Sequence, residues 1–288
     1  MNAIKSFFSP FLAIMGFIQN HFKAMLFLLL VFFLFSPSEE ELKPANLAQI
    51  KLQGVIMDAS VVVQQLETAR KDDAIKGVLF IVNSPGGAVP PSIEIMQAIK
   101  RLKEKKPVVA YAAGTIASGS YYASIYANKI YANPGSMVGS IGVIMQGANY
   151  AKLAQKIGIS SQTIKAGKFK EVGTGSREWT PDEKAELEKV INDTYDLFVN
   201  DVATARKLDP KNHTEFADAH IFTASQAKKV GLIDELGVGF DAKKALIKLS
   251  KVDEAIWQKE DKIDSFMRRL SGETASFMGA YFSNLTMR

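Results

Sequence analysis

Apolar positions fall into two regimes along the chain. Near the N-terminus they run together, from Phe7 to Ile18 and again from Ala24 to Phe35, with Gln19-Asn20-His21-Phe22-Lys23 between the runs. From Ala48 onward they come in short blocks that alternate between strand and helix spacing. A membrane-spanning helix needs roughly 20 residues at about 1.5 Å each, which the stretch from Ile18 to Ser36 supplies if Lys23 snorkels to the headgroups. The first run, broken by Pro10 and Gly16, suits the membrane interface. Lys5 and Lys23 precede the apolar core and Glu39, Glu40 and Glu41 follow it, so the positive-inside tendency puts the N-terminus in the cytoplasm and the remaining chain outside. Phe33-Leu34-Phe35 stands where a signal-peptide cleavage site would need small residues, which favours an uncleaved anchor. Residues 1–36 are thus predicted as a single-pass anchor in the inner (plasma) membrane, and residues 37–45 as an acidic linker.

Past the linker, Ala48 to Met57 reads as a strand, Ser60 to Lys71 as a helix, and Gly77 to Val82 as an all-apolar strand of the kind buried in a parallel sheet. A helix around Pro91 to Lys105 and a strand from Pro107 to Ala113 repeat the cycle. This alternation predicts right-handed βαβ crossovers and an α/β fold. Trp179 to Lys207 reads as a long amphipathic helix, with Thr180 as N-cap, Pro181 at the first position and Glu183 as capping-box acid. Leu187, Val190, Ile191, Tyr195 and Phe198 mark its packing face, for the core or a second subunit. Residues 46–250 are expected to form the main domain. Residues 251–288 are expected to form a C-terminal amphipathic extension carrying Phe266, Met267, Leu270, Phe277 and Phe282.

Composition removes several function classes. A formal charge of +5 comes from scattered lysines, without the basic run and interleaved aromatics that track nucleic acid. Cysteine is absent, so disulfides, thiolate nucleophiles and cysteine metal sites are excluded. Histidine occurs three times, at His21, His213 and His220.

Two strand ends carry candidate chemistry, since ligands in open α/β sheets bind at the carboxyl ends of strands. At Asn83-Ser84-Pro85-Gly86-Gly87, glycines allow backbone N–H groups to approach a substrate oxygen, although an ordinary type II turn uses the same residues. At Gly114-Thr115-Ile116-Ala117-Ser118-Gly119-Ser120, a small-residue run leaves a strand and enters a helix. Ser118 there suits either a nucleophile beside free N–H groups or a plain helix cap. A nucleophilic serine needs a base. His21 belongs to the membrane edge and no histidine lies between Ser118 and residue 212, so a lysine desolvated enough to lose its proton is the alternative. Ile164 to Glu171 offers Lys165, Lys168 and Lys170, with the last two on one face if the stretch is extended; spacing does not choose among them.

In order and spacing together, Asn83-Ser84-Pro85-Gly86-Gly87, Ala117-Ser118-Gly119-Ser120-Tyr121-Tyr122, Gly139-Ser140-Ile141-Gly142-Val143-Ile144 and Gly167-Lys168-Phe169-Lys170 resemble signal peptide peptidase A, or protease IV, in its short single-unit form. The segment from Phe222 to Gly237 looks like that family's helix and Gly-Leu-Ile-Asp turn; Asp234 is expected to be structural, with a catalytic carboxylate as the alternative. Ser120 departs from a usual glycine, which places a second hydroxyl near Ser118, and Ala224 departs from another. The resemblance implies Ser118 as nucleophile, Lys170 as base, Ser140 as the hydroxyl that orients the lysine, and an oxyanion hole from the N–H groups of Gly86 and Gly119. It further implies a Clp-protease or crotonase fold of stacked βαβ units, signal peptides as substrates, no cofactor or metal, and ring-like homo-oligomers in which Ser118 and Lys170 come from different chains. Rival readings keep the chemistry but aim it at other membrane or misfolded proteins, or replace it by a crotonase-type acyl-CoA reaction.

Overall fold

A computed structural model describes residue 17 and residues 19–30 and 44–258. Contacts divide the chain into two units, Met1–Pro44 and Ala45–Arg288. In the first, residues 19–30 are helical and expose Phe22, Leu26, Phe27 and Leu28. The anchor expected over residues 1–36 otherwise lies outside the described residues, and so do Phe266, Met267, Leu270, Phe277 and Phe282 of the C-terminal extension. Among the described residues no helix is long and apolar enough to cross a membrane.

The second unit is built on a mixed, mainly parallel sheet. Strands β1 (Leu47–Ile56), β2 (Gly77–Gly87), β3 (Val108–Ala117), β4 (Lys129–Ala132) and β7 (Glu235–Leu236) lie in that order, while β5 (Met137–Gly139) pairs with β3 and β6 (Ile221–Thr223) pairs antiparallel with β5. Alternate side chains enter two separate cores, as the period of two demands. Ala48, Ile50, Val78, Phe80, Val82, Val108 and Ala110 face helices α1 (Ser60–Lys71) and α2 (Val89–Lys103). Leu47, Leu79, Val109 and Tyr111 meet Ala242 and Leu246 of helix α8 (Gly239–Ser250). Covering both faces explains why β2 opens with the unbroken apolar run Gly-Val-Leu-Phe-Ile-Val. Residues 254–258 close the far edge of β1, where Asn46 and Leu47 N–H groups donate to Ile256 O and Gln258 N–H donates to Leu47 O at 2.7 Å.

Two departures from regular pairing shape the active end of the sheet. Gly54 (φ +70) sits where the β1–β2 register shifts, which lets β2 stay paired through Gly86 and Gly87. Between β2 and β3 the register jumps from Val82↔Ala112 to Ser84↔Ile116. Past that jump β3 exchanges its neighbour: Val109 to Ala112 pair with β4, and Thr115 to Ala117 with β5. The strand therefore forks where Ser118 follows.

The remaining helices are α3 (Gly119–Ser124), α4 (Ala151–Lys156), α5 (Pro181–Arg206), α6 (His213–Phe216) and α7 (Ala224–Lys229). Helix α5 begins with the expected capping box between Thr180 and Glu183, and its last turns bury Phe198, Val199, Val202 and Ala203. Its earlier turns reach the core only at its margin: Val190 is exposed, Leu187 and Ile191 are half-buried, and half-buried Tyr195 packs against the main core.

Candidate active site

Ser118 ends β3 and precedes α3 with φ +52 and ψ −126, a conformation costly for any residue with a Cβ. Its side chain caps nothing, so the helix-cap alternative fails. Its N–H donates to Gly139 O at 2.8 Å and its carbonyl accepts from Tyr122 N–H at 2.9 Å, which fixes the backbone and leaves the hydroxyl without a partner among the described residues. Gly86 (φ +99) abuts this turn. A Cβ there would stand 2.6 Å from Gly119 N and 2.8 Å from Ser118 Cβ, so glycine is required both by conformation and by contact. Gly86, Ser118 and Gly119 are thereby brought together.

Beneath them lie two fully buried hydroxyls. Ser120 Oγ accepts from Ala117 N–H at 2.9 Å and faces the carbonyl oxygens of Ser84 and Ala117 at 2.7 and 2.9 Å. It is committed to the backbone and is not a rival nucleophile. Ser84 Oγ accepts the N–H of Gly86 at 3.1 Å, and the nitrogen of Gly87 lies 3.3 Å from where a Cβ on Gly119 would stand.

Ser140 occupies on β5 the place that Ser118 occupies on β3, because each follows one residue of the Ala117↔Gly139 pair. It too is left-handed, with φ +49. Among the described residues six non-glycines have positive φ. Lys207 and Lys251 are left-handed caps of α5 and α8. The other four, Ser118, Ser140, Asp218 and Ala219, meet through Ser118 N–H to Gly139 O, Ser140 N–H to His220 O and Ala219 N–H to Ile141 O. Such strain, about 1–3 kcal/mol per residue, persists where surrounding structure holds it, and here it gathers on one patch. His220, far downstream in sequence, adjoins Ser140 through its carbonyl, with its ring 6.0 Å from that of Phe222.

Among the described residues no hydrogen bond or ion pair joins Lys170 to this cluster. Residues 160–168 are exposed and residues around Phe169 to Gly173 form turns, with Gly167 and Gly173 at positive φ, so the extended arrangement that would align Lys168 with Lys170 does not form. Lys168 pairs with Asp182 at 2.6 Å and Lys165 with Glu171 at 2.9 Å. Lys170 alone of the three has no side-chain partner among the described residues, and no bond joins it to Ser118 or Ser140.

What holds this arm is charge. Arg177 binds both oxygens of Glu183 at 2.7 and 2.8 Å and reaches Glu171 at 3.1 Å. Those Arg177 bonds, with the Thr180 N–H, hold the Glu183 carboxyl down at about 2. Glu183 was legible as a capping acid; its second role toward Arg177 was not, since spacing does not reveal a loop folding back onto a helix start. An open pocket of about 670 Å³ in this arm is lined by Tyr150, Gln155, Ile159, Glu171 and Arg177, and none of the expected site residues lines it.

Asp234 is structural: it accepts Ile130 N–H at 2.7 Å and pairs with Arg206 at 3.1 Å. Among the described residues no cluster of His, Asp and Glu could hold a metal.

Comparison with known proteins gives a concordant result. A family model described as Peptidase family S49 matches residues 100–253. A provisionally named protease from Methanocaldococcus jannaschii is 46% identical over 195 residues, covering 68% of this chain and 63% of that protein. A provisionally named signal peptide peptidase SppA from Enterococcus faecium is 35% identical over 218 residues, covering 75% and 63%. The chain thus matches somewhat under two thirds of the length of either relative. A ClpP1 mutant from Listeria monocytogenes superposes with a TM-score of 0.47 at 17% identity, covering 67% of this chain and 93% of that one.

Proposed function

The chain belongs to peptidase family S49, and on that premise we propose that it is a serine endopeptidase in which Ser118 attacks the scissile carbonyl and Lys170 is the general base. The observation that carries this reading is the Ser118 turn, a strained backbone at +52° whose Cβ and following Gly119 nitrogen abut Gly86 and whose hydroxyl has no partner among the described residues. Oγ adds to the carbonyl as its proton passes to the lysine amine. The tetrahedral oxyanion is met by backbone N–H groups of Gly119 and Gly86, the latter leaving Ser84 Oγ to do so. The lysine then protonates the leaving amine, and water resolves the acyl-enzyme. Ser140, left-handed beside Ser118, orients the lysine.

Lys170 is favoured over its neighbours because Lys165 and Lys168 already hold carboxylates. Its exposure in a single chain fits a site completed by a second copy, whose surface would desolvate the amine and favour its neutral form. The likeness to a relative named signal peptide peptidase supports hydrophobic peptides, such as cleaved signal peptides, as substrates. The apolar N-terminal runs support an anchor over residues 1–36 with the catalytic unit on the extracytoplasmic side, in a Clp-protease or crotonase type of fold.

The test is Ser118→Ala against a fluorogenic hydrophobic peptide. Turnover should fall at least roughly a thousandfold with the melting temperature unchanged, as for loss of a nucleophile elsewhere. Retention of near wild-type turnover would remove Ser118 from the mechanism.

A further inference from the structure

The two turns that carry the reaction come from different strands, and the ladder between those strands fails just where they meet. Between β2 and β3, Val82↔Ala112 is followed only by Ser84↔Ile116. Beyond this pair, regular β pairing no longer sets the distance between Gly86 and Ser118. Yet that distance is set closely, since a single added Cβ at Gly86 would overlap Gly119 N, Ala117 O and Ser118 Cβ at 2.6, 2.8 and 2.8 Å.

A side chain takes over from the ladder. Ser120 is fully buried, and its Oγ accepts Ala117 N–H on the nucleophile turn while lying 2.7 Å from Ser84 O on the glycine turn. A hydroxyl has one proton, so it donates to one acceptor at a time. The Ser84 carbonyl is the shorter contact, and donation to it links the turns; donation to Ala117 O at 2.9 Å would not. Ser84, also fully buried, accepts the Gly86 N–H on its own Oγ in the resting turn, a bond given up when that N–H meets the oxyanion. Within α3, Ser124 Oγ donates to the Ser120 carbonyl at 2.8 Å. Ser124, Ser120, Ser84 and Gly86 thus form one continuous, buried hydrogen-bonded chain.

We infer that Ser120 is a positioning residue for oxyanion stabilisation: its hydroxyl fastens the nucleophile turn to the Ser84-Pro85-Gly86 turn and sets the gap across which the N–H groups of Gly86 and Gly119 hold the tetrahedral intermediate. This rests on the assignment of Ser118 as nucleophile. Ser120 touches neither substrate nor reacting atoms. A group that acts through geometry alone should matter more in the transition state than in substrate binding, because the oxyanion exists only there.

The experiment compares wild type, Ser120→Ala, Ser120→Cys and Ser84→Ala in the full chain. Ser84→Ala keeps the backbone carbonyl that Ser120 uses, and Ser120→Cys keeps a weak donor at similar volume. Three quantities are read: kcat, KM, and the affinity for a peptide aldehyde, whose adduct forms a bond from Ser118 Oγ to carbon and generates an oxyanion. For Ser120→Ala, kcat should fall roughly tenfold, in line with a sub-ångström misplacement of a catalytic group. Aldehyde affinity should fall by the same factor, KM should stay within about twofold, and Ser120→Cys should be intermediate. Ser84→Ala should show a smaller loss, since the link between the turns survives. Wild-type kcat and aldehyde affinity in Ser120→Ala would overturn the inference. So would losses that follow only the folded fraction measured by thermal melting, with kcat per folded molecule unchanged. If Ser118→Ala were active, the nucleophile assignment would fail instead, whatever Ser120→Ala did.

Discussion

The proposed nucleophile and the proposed base sit in regions built by opposite means. Around Ser118 the chain is close-packed: Ile116, Ser120 and Tyr121 are fully buried, Gly86 and Gly119 have no room for a Cβ, and strain is held by backbone hydrogen bonds. Around Lys170 the chain is open. Helix α4 buries none of its residues, Ile164 is fully exposed, and the arm is tied by Lys165, Arg177, Glu171 and Glu183. A geometry needed to better than an ångström, for an oxyanion, is placed in the core, where packing does not depend on solution conditions. A proton acceptor on a long flexible side chain tolerates looser placement, and its surroundings depend on charge, hence on pH and salt.

The largest effect that would sharpen this contrast is at the lysine itself. Lys170→Ala should abolish peptide turnover as fully as loss of the serine, and Lys170→Arg should not restore it, because guanidinium does not give up its proton. Turnover retained in Lys170→Ala would return the role to Lys165 or Lys168.

Next comes Gly86→Ala. The added methyl meets Gly119 N, Ala117 O and Ser118 Cβ at a φ of +99, so the turn must move. We expect kcat/KM to drop by roughly a hundredfold, the scale of losing one oxyanion donor. Lost activity with an unshifted KM would place the damage in the transition state, whereas unchanged activity would show that this turn is not part of the hole.

The smallest effects belong to the charged arm. Arg177→Ala should lower kcat/KM roughly tenfold through loosening of the turn that carries Lys170, and should make the enzyme less sensitive to added salt. The Glu183 carboxyl is lowered from 4.5 to about 2, so its contribution to stability is fully present above about pH 4.5 and is lost as pH falls toward 2. Melting temperature should therefore fall across that window in wild type and less steeply in Glu183→Gln. Parallel curves would show that Arg177 and Glu183 do not hold the arm.

How much of this was legible in the sequence follows the same division. Helix α1 was read at its observed limits, and the start of α5 was read from Thr180, Pro181 and Glu183, because capping is local chemistry. The end of β2 was not. Its apolar pattern stops at Val82, and what carries it on to Gly87 is pairing with β1 across the shift at Gly54. The face of α5 was visible as periodicity, but period tells which residues share a side and not what covers them; of its five residues only Phe198 is buried. The motif around Ser118 identified the turn, but the left-handed backbone and the Ser84 and Ser120 hydroxyls beneath it follow from strand register. The lysine loop was least legible, because alternation assumed an extended chain where turns at Gly167 and Gly173 form.

The most direct test of two separately built halves is subunit mixing. Ser118→Ala and Lys170→Ala chains, each inactive alone, are dissociated, mixed in equal amounts and reassembled, with mixed assemblies verified by differential tags. If one copy supplies the serine turn and its neighbour the lysine arm, random assembly pairs an intact serine with an intact lysine at about a quarter of the interfaces, and about a quarter of wild-type activity should return. Verified mixed assemblies that stay inactive would contradict the account and place both groups of each site in one chain.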